Sequence, residues 1–374
     1  MSSSPPTESN RNTIVVGISG PSSSGKTTLA RLLRTVFTPE RNAGCGLAEG
    51  DIKDRKDIDR HKKSDRDEEE LRVFIIHEDD FYKPDDQIPV TTTAAGKRVQ
   101  DWDTIGALDV RQLTSALSYV RARGTLPPRL KSKEDLNEVK DSGVTEDSIR
   151  RIRGEVARRL EGILSSGREA RGKGLSLSLA FLEGFLLYAP AGDEKHALRA
   201  VHDNIHVPLF LPATYSVLKE RREGRTGYVT IGPAPTPELD EEKEEKRHGA
   251  AESDDKSLGD GNGEGEGEDG GIGDLEEDGD PFPHQNFWTD PPGYVDDIVW
   301  PRYIADHAWL LLTDPGTKRS EEELKEAVGE GRDVKEDAGV LVAPGKGAAD
   351  LTELLEWGVR EVLKEVERVV AGGV

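Results

Sequence analysis

Apolar positions along this chain switch between two spacings, and the switches mark its elements. Thr13-Ile14-Val15-Val16-Gly17-Ile18 is a β-branched run of the kind buried on both faces of a parallel sheet. A Gly/Ser stretch over 20–25 follows, and then Leu29, Leu32, Leu33 and Val36 fall on one face of a helix over 27–37. Residues 71–76 read as a second strand, ending in His77-Glu78-Asp79-Asp80. Val110, Leu113, Leu117 and Val120 predict a helix over 109–123, and 124–145 reads as a polar excursion. Ile149, Ile152, Val156, Leu160, Ile163 and Leu164 predict another helix, stopping near Gly167. A strand over 175–182 runs into Glu183-Gly184. The apolar run 204–211 precedes an Arg-rich helix, 309–312 reads as the last strand, and 351–370 as a C-terminal amphipathic helix. Strands alternating with helices predict a parallel sheet covered on both faces, with no internal repeat.

Charge changes the picture in two places. Residues 238–280 hold 19 Asp/Glu against 4 Lys/Arg, so 43 of the 374 residues carry −15 of the formal −22. Such a Glu/Asp/Gly tract has too little apolar surface to offset the entropy of ordering it, so disorder is expected across an insert at 233–281. In 39–70, 19 of 32 residues are charged, and a second insert of this kind is expected there. With a polar N-terminus over 1–12, also read as disordered, this leaves one domain over 13–374 with inserts at 39–70, 124–174 (partly helical) and 233–281. The single Cys45 forbids an internal disulfide, and no apolar stretch approaches the ~20 residues that span a bilayer. Met1 to Asn12 lacks the apolar core of a secretory signal, and no basic stripe offers a nucleic-acid surface. A cytoplasmic protein without nucleic-acid or membrane partners is the expectation.

The chemistry starts at Gly20-Pro21-Ser22-Ser23-Ser24-Gly25-Lys26-Thr27-Thr28, which fits G-x-x-x-x-G-K-[ST] between a buried strand and a helix. Backbone N–H groups of such a loop wrap phosphate oxygens, and the following helix N-terminus adds its positive dipole end. Lys26 then reaches the β/γ-phosphates and the Thr27 hydroxyl ligates Mg²⁺. This makes the fold class α/β, a P-loop NTPase-type parallel sheet with helices on both faces. Asp79, Asp80 and Glu183 stand at the C-terminal ends of strands, where ligands of open α/β sheets bind. Carboxylates there suit a kinase, which needs a proton acceptor for the attacking hydroxyl and ligands for hydrated Mg²⁺. Arg221, Arg222 and Arg225 fit a lid closing over phosphoryl oxygens, and the guanine-selective N-K-x-D motif is absent.

These segments together resemble the fungal nicotinamide riboside kinases, P-loop kinases related to uridine kinases. The resemblance is carried by Gly17 to Thr28, His77-Glu78-Asp79-Asp80-Phe81-Tyr82-Lys83-Pro84, Trp102-Asp103, Phe181 to Tyr188 and Lys219 to Tyr228. It continues through Pro292-Gly293-Tyr294, Val299-Trp300-Pro301-Arg302-Tyr303 and Gly316-Thr317-Lys318. It implies ATP and Mg²⁺ as cofactors and a small-molecule nucleoside as substrate. By the same resemblance Asp79 is the general base near Mg²⁺, beside Lys26 as the other catalytic group and Thr27 and Glu183 as metal ligands. Gly20, Ser22, Ser23, Ser24, Gly25, Thr28, Arg221, Arg225 and Lys318 bind ATP. Asp80, Phe81 and Tyr82 lie along the substrate, Trp102 and Tyr228 enclose the nicotinamide ring, and Asp103 with Arg222 holds the ribose hydroxyls. The inserts have no counterpart in the compact pattern and are expected as surface additions. A uridine or cytidine kinase is the rival within the class, and a non-catalytic P-loop scaffold with an acidic partner-binding tract the rival outside it.

Overall fold

The computed structural model describes residues 11–39, 71–128, 130, 132, 142–171, 176–225, 227–231 and 285–372. The expected disorder at 39–70 (apart from Pro39) and 233–281, Cys45, and all of 1–12 except its last two residues lie outside them. Arg11 and Asn12 already belong to the first strand.

Five parallel strands build the central sheet, in the order β2 (Leu71–His77), β5 (Ser176–Gly184), β1 (Arg11–Ser19), β6 (Val207–Phe210), β9 (Leu341–Val342). The registers place Ser19 beside Gly184 and His77 beside Glu183, so the chain leaves β1, β2 and β5 along one edge. Successive side chains of β1 serve opposite faces. Ile14, Val16 and Ile18 pack with α1 (Lys26–Phe37), α3 (Glu146–Arg171) and the C-terminal helix α8 (Leu351–Val370). Val15 packs with α2 (Val110–Arg123) and α6 (Trp300–Leu311). Burial on both faces is why the run Thr13–Ile18 carries no polar alternation.

Three sequence expectations change. The run 309–312 is not a strand but the end of α6, whose Tyr303, Ile304, His307, Leu310 and Leu311 are buried at helical spacing. A short apolar run does not reveal its own period, and the last strand of the sheet is Leu341–Val342 instead. The helix expected to stop near Gly167 continues through it to Arg171. Most of the 124–174 insert is therefore no surface addition. Ile152, Val156, Leu160 and Leu164 are buried against α1 and α8, and the Arg153 guanidinium donates to Thr35 O at 2.9 Å. That stripe outweighs the cost of the glycines, about 1 kcal/mol each. Finally, β7 (Tyr228–Ile231) and β8 (Gln285–Trp288) form an antiparallel hairpin with Ile231 opposite Gln285. The acidic insert enters and leaves at that hairpin's tip. A smaller hairpin joins β3 (Val90–Thr92) to β4 (Arg98–Gln100).

Candidate active site

The loop from Gly20 to Gly25 turns sharply because its backbone adopts conformations that side chains oppose. Gly20 has φ 152°, and a Cβ there would lie 2.2 Å from Leu211 O. Gly25 precedes α1 at φ 100°, and Ser23 is left-handed at φ 63°. Lys26 Nζ donates back to Pro21 O at 2.9 Å, folding the ammonium over the loop. The Ser23 and Ser24 hydroxyls are buried without a hydrogen-bond partner among the described residues. Orphaned donors beside a buried lysine and a helix N-terminus form a cradle that phosphate oxygens fit. A cavity of about 560 Å³ opens from this loop toward Arg221, Arg225 and the 343–351 segment.

Acids converge beside the loop. Glu183, the last residue but one of β5, has its Oε1 2.7 Å from His77 Nδ1, and the Thr27 hydroxyl also hydrogen-bonds it. Burial alone would raise Glu183, but the hydrogen bond and charge of His77, with Lys26 and Thr27, hold it below its usual value. Asp79 sits on the 3-10 turn Glu78–Phe81, and burial and the Glu183 charge push its carboxyl up against the pull of Lys26. Lys26 is itself lowered by burial, partly offset by Glu183 and Asp79. A raised carboxylate makes the better proton acceptor near neutral pH. Glu78 is fully buried, and its Oε2 accepts from the backbone N–H groups of Phe185 at 2.7 Å and Leu186 at 3.1 Å. Burial pushes it up to about 8. Among the described residues no three His, Cys, Asp or Glu side chains form a metal cage. Two carboxylates and a threonine hydroxyl instead suit Mg²⁺, which retains waters and takes substrate oxygens.

The D-D-F-Y-K-P motif builds the other wall. Lys83 Nζ donates to Gly106 O at 2.7 Å and Asp109 N to Phe81 O at 2.8 Å, anchoring the loop that carries Trp102 and Asp103. Arg222, on α5 (Tyr215–Glu223), grips Asp103 with both guanidinium ends at 2.9 and 3.0 Å. Its Nε donates to Asp290 at 2.7 Å, and Trp288 Nε1 donates to the same carboxylate at 2.9 Å. Burial pushes Asp103 up to about 6 against the Arg222 charge, so the paired carboxylate is ionised at neutral pH. Arg221 reaches the phosphate loop itself, donating to Ser23 O at 3.4 Å, and the Arg225 charge acts on Lys26 and Asp79. Lys219 bonds both Asp296 oxygens at 2.8 and 2.7 Å, pinning the base of α5 to the turn Val295–Val299. Asp103 also lines a cavity of about 10 Å³ with Ser22, Phe185, Tyr303, Asp306 and His307. That is room for about one water between the phosphate loop and the Arg222 pair.

No family model matches the chain. Among curated proteins it is 25% identical to the nicotinamide riboside kinase of Schizosaccharomyces pombe over 303 residues, 81% of this chain and 82% of that one. It is 24% identical to the nicotinamide riboside kinase of Saccharomyces cerevisiae over 302 residues, 81% and 80% of the two chains. Its match to the Eremothecium gossypii protein of the same name is 24% over 301 residues, 80% and 78%. The chain is similar to fungal nicotinamide riboside kinases over about four-fifths of its length. The matched length leaves about a fifth of this chain unaligned.

Among these fungal-type residues, the structure brings Lys26, Thr27, Asp79, Glu183, Arg221 and Arg225 to one edge of the sheet, with Asp103 and Arg222 paired beside them. Thr28 lines the larger cavity and Ser22 the smaller. Phe81 is a core residue, and Asp80 accepts from the Ser132 hydroxyl at 3.4 Å. Tyr82 packs edge-on to Trp102 and stacks on Phe185. Trp102 is only 6% exposed, packed also on Trp288, with its backbone N–H donating to the Tyr294 hydroxyl. Tyr228 pairs with Trp288 along the hairpin, and its ring lies outside the described side chains. Lys318 is exposed on the 312–320 loop and does not line the large cavity, whose C-terminal wall is Ala343, Gly347 and Asp350. Sequence reasoning missed Asp290 and Glu78. Asp290 precedes Pro291-Pro292-Gly293 and reads as a turn residue, so nothing announces an arginine partner 68 positions earlier. Glu78 stood within the recognised motif, and Gly184 across from it was the available signal.

Proposed function

We propose that the protein transfers the γ-phosphoryl group of ATP to the 5′-hydroxyl of nicotinamide riboside, yielding nicotinamide mononucleotide for NAD salvage. The observation that carries this reading is the meeting of two walls at one sheet edge. Lys26, Thr27, Asp79 and Glu183 sit at the phosphate loop, and the buried Arg222–Asp103 pair sits across a narrow gap. Likeness to fungal nicotinamide riboside kinases over four-fifths of the chain supports this choice of substrate.

On this reading Asp79 accepts the 5′-hydroxyl proton while Lys26 and the lid arginines neutralise charge growing on the phosphoryl oxygens. Thr27, Asp79 and Glu183 would hold Mg²⁺, which would supply positive charge to offset that of the transferring phosphoryl group. Asp103 and Arg222 hold the ribose 2′- and 3′-hydroxyls, and the Trp102, Tyr82 and Phe185 faces suit a cationic pyridinium ring. Nicotinic acid riboside, which carries a carboxylate in place of the carboxamide, is the alternative acceptor at the same site.

The test is phosphoryl transfer by the purified chain with ATP and Mg²⁺ over nicotinamide riboside, nicotinic acid riboside, uridine and cytidine. Preferred turnover of nicotinamide riboside is expected, and preferred turnover of a pyrimidine nucleoside would overturn the reading. Asp79→Asn, with melting unchanged, is expected to lose ~10²–10⁴-fold in kcat. Wild-type turnover in that variant would remove Asp79 from the base role.

A further inference from the structure

We propose that Glu78 is a positioning residue for phosphoryl transfer, holding the turn after β5 against the turn after β2 so that Glu183 and Asp79 keep their mutual placement. The proposal rests on the kinase reading above. At the end of β2, successive residues point to opposite faces, and both grip β5. His77 holds the Glu183 carboxylate at 2.7 Å. Glu78 holds the backbone just beyond it, its Oε2 accepting at 2.7 Å from Phe185 N and at 3.1 Å from Leu186 N.

These two amides are the first to leave β5, which ends at Gly184, so the sheet offers them no partner. A fully buried carboxylate supplies both bonds. Gly184 is shaped to it: a Cβ there would lie 2.5 Å from both the Cβ and Oε2 of Glu78. Only hydrogen fits between the two strands at that point. The consequence reaches both walls of the site. Asp79 is the next residue along from Glu78, and Phe185 stacks on Tyr82 and lines the gap beside Asp103. Releasing the grip would let the two acids and the acceptor wall move relative to each other, while the phosphate loop, built on β1, keeps its own contacts.

The experiment compares Glu78→Gln, Glu78→Asp and Gly184→Ala in the full chain. It measures kcat, both KM values and thermal unfolding, with whichever nucleoside the wild type accepts. Gln keeps an oxygen at the same reach, so kcat within about fivefold of wild type is expected. Asp keeps the carboxyl group but falls one methylene short, and a loss approaching 10²-fold in kcat is expected, as for a reacting group misplaced by about 1 Å. The KM for ATP should stay within about twofold in both, since the phosphate loop is untouched. Gly184→Ala should follow Asp. A folded Asp variant with kcat near wild type, or a folded Gln variant that loses as much as Asp, overturns the proposal. Should Gly184→Ala fail to fold, the Gln and Asp pair decides alone. A wild type that phosphorylates uridine but no nicotinamide riboside would sink the substrate assignment and leave this comparison intact.

Discussion

Trp102 shows how one side chain can be asked to do two jobs. Its indole is 6% exposed and packs on Tyr82 and Trp288, as a core residue would. Yet it adjoins Asp103, whose carboxylate is gripped by Arg222 beside the acceptor gap. Trp102→Ala should therefore cost ~3–5 kcal/mol of folding stability through the cavity it leaves. If the ring also stacks on the substrate's pyridinium, the nucleoside KM should rise by roughly 2- to 30-fold while the ATP KM holds. Thermal unfolding beside the two KM values separates the roles. A destabilised enzyme with an unchanged nucleoside KM would leave Trp102 a core residue only. His206 offers a residue-scale test of pH. Its ring Nδ1 accepts the Val15 N–H at 3.0 Å while the His206 backbone N–H donates to Val15 O at 2.8 Å, closing the start of the β1–β6 pairing. Accepting requires the neutral ring, and burial together with the Arg121 charge lowers the His206 pKa. A lowered folded pKa means this stability is present above the unfolded value near 6.5 and is lost as pH falls through the folded one. The melting advantage of wild type over His206→Phe should accordingly shrink between pH 7.5 and 5. A difference that grows on acidification would contradict the acceptor role.

Among the elements, α3 departs furthest from its reading as an insertion. Its buried positions recur every four residues from Ile152 to Leu164, and they complete the layer formed by α1 and α8. Leu160→Ala should cost ~2–5 kcal/mol, the range for a buried leucine, and an effect under about 0.5 kcal/mol would restore the surface-insertion view. Helix α5 is held in place by two different anchors. Lys219 with Asp296 is an exposed tie that contributes little. Arg222 with Asp103 and Asp290 is buried, and Asp290 accepts from both Arg222 Nε and Trp288 Nε1 while Asp103 balances the guanidinium charge. Asp290→Ala is thus expected to destabilise by ~1–3 kcal/mol, the cost of removing a buried acceptor, unless the helix swings out to solvate Arg222. A variant with unchanged melting and a raised nucleoside KM would show that it does.

Across the whole molecule, the placement of the acidic insert matters more than its composition. Ile231 and Gln285 face each other as a cross-strand pair, so the 53 residues between them span a gap that two can close. Replacing 232–284 by Asn-Gly, the favoured two-residue hairpin turn, should leave melting and kcat within about twofold of wild type. A large loss of either would show that the insert packs on the core or governs the lid that precedes it. Among the described residues no helix is long and apolar enough to cross a membrane.

The sequence by itself determined the elements whose evidence is local. The β-branched run before Gly20, the G-x-x-x-x-G-K-T spacing and the amphipathic period of 351–370 each encode their own geometry within a dozen residues or so. The acids after β2 and β5 were legible for the same reason, since a strand end marks where ligands of a parallel sheet sit. Tertiary structure decided whatever depends on distant partners. The run 309–312 became a helix end because burial on α6, not the period of four residues, set its form. The stretch 146–171 became core because α1 and α8 leave a groove for it. Asp290 met Arg222 across 68 residues, and Glu78 met Phe185 across 107. No periodicity spans such separations; only the folded sheet brings those atoms within hydrogen-bond reach.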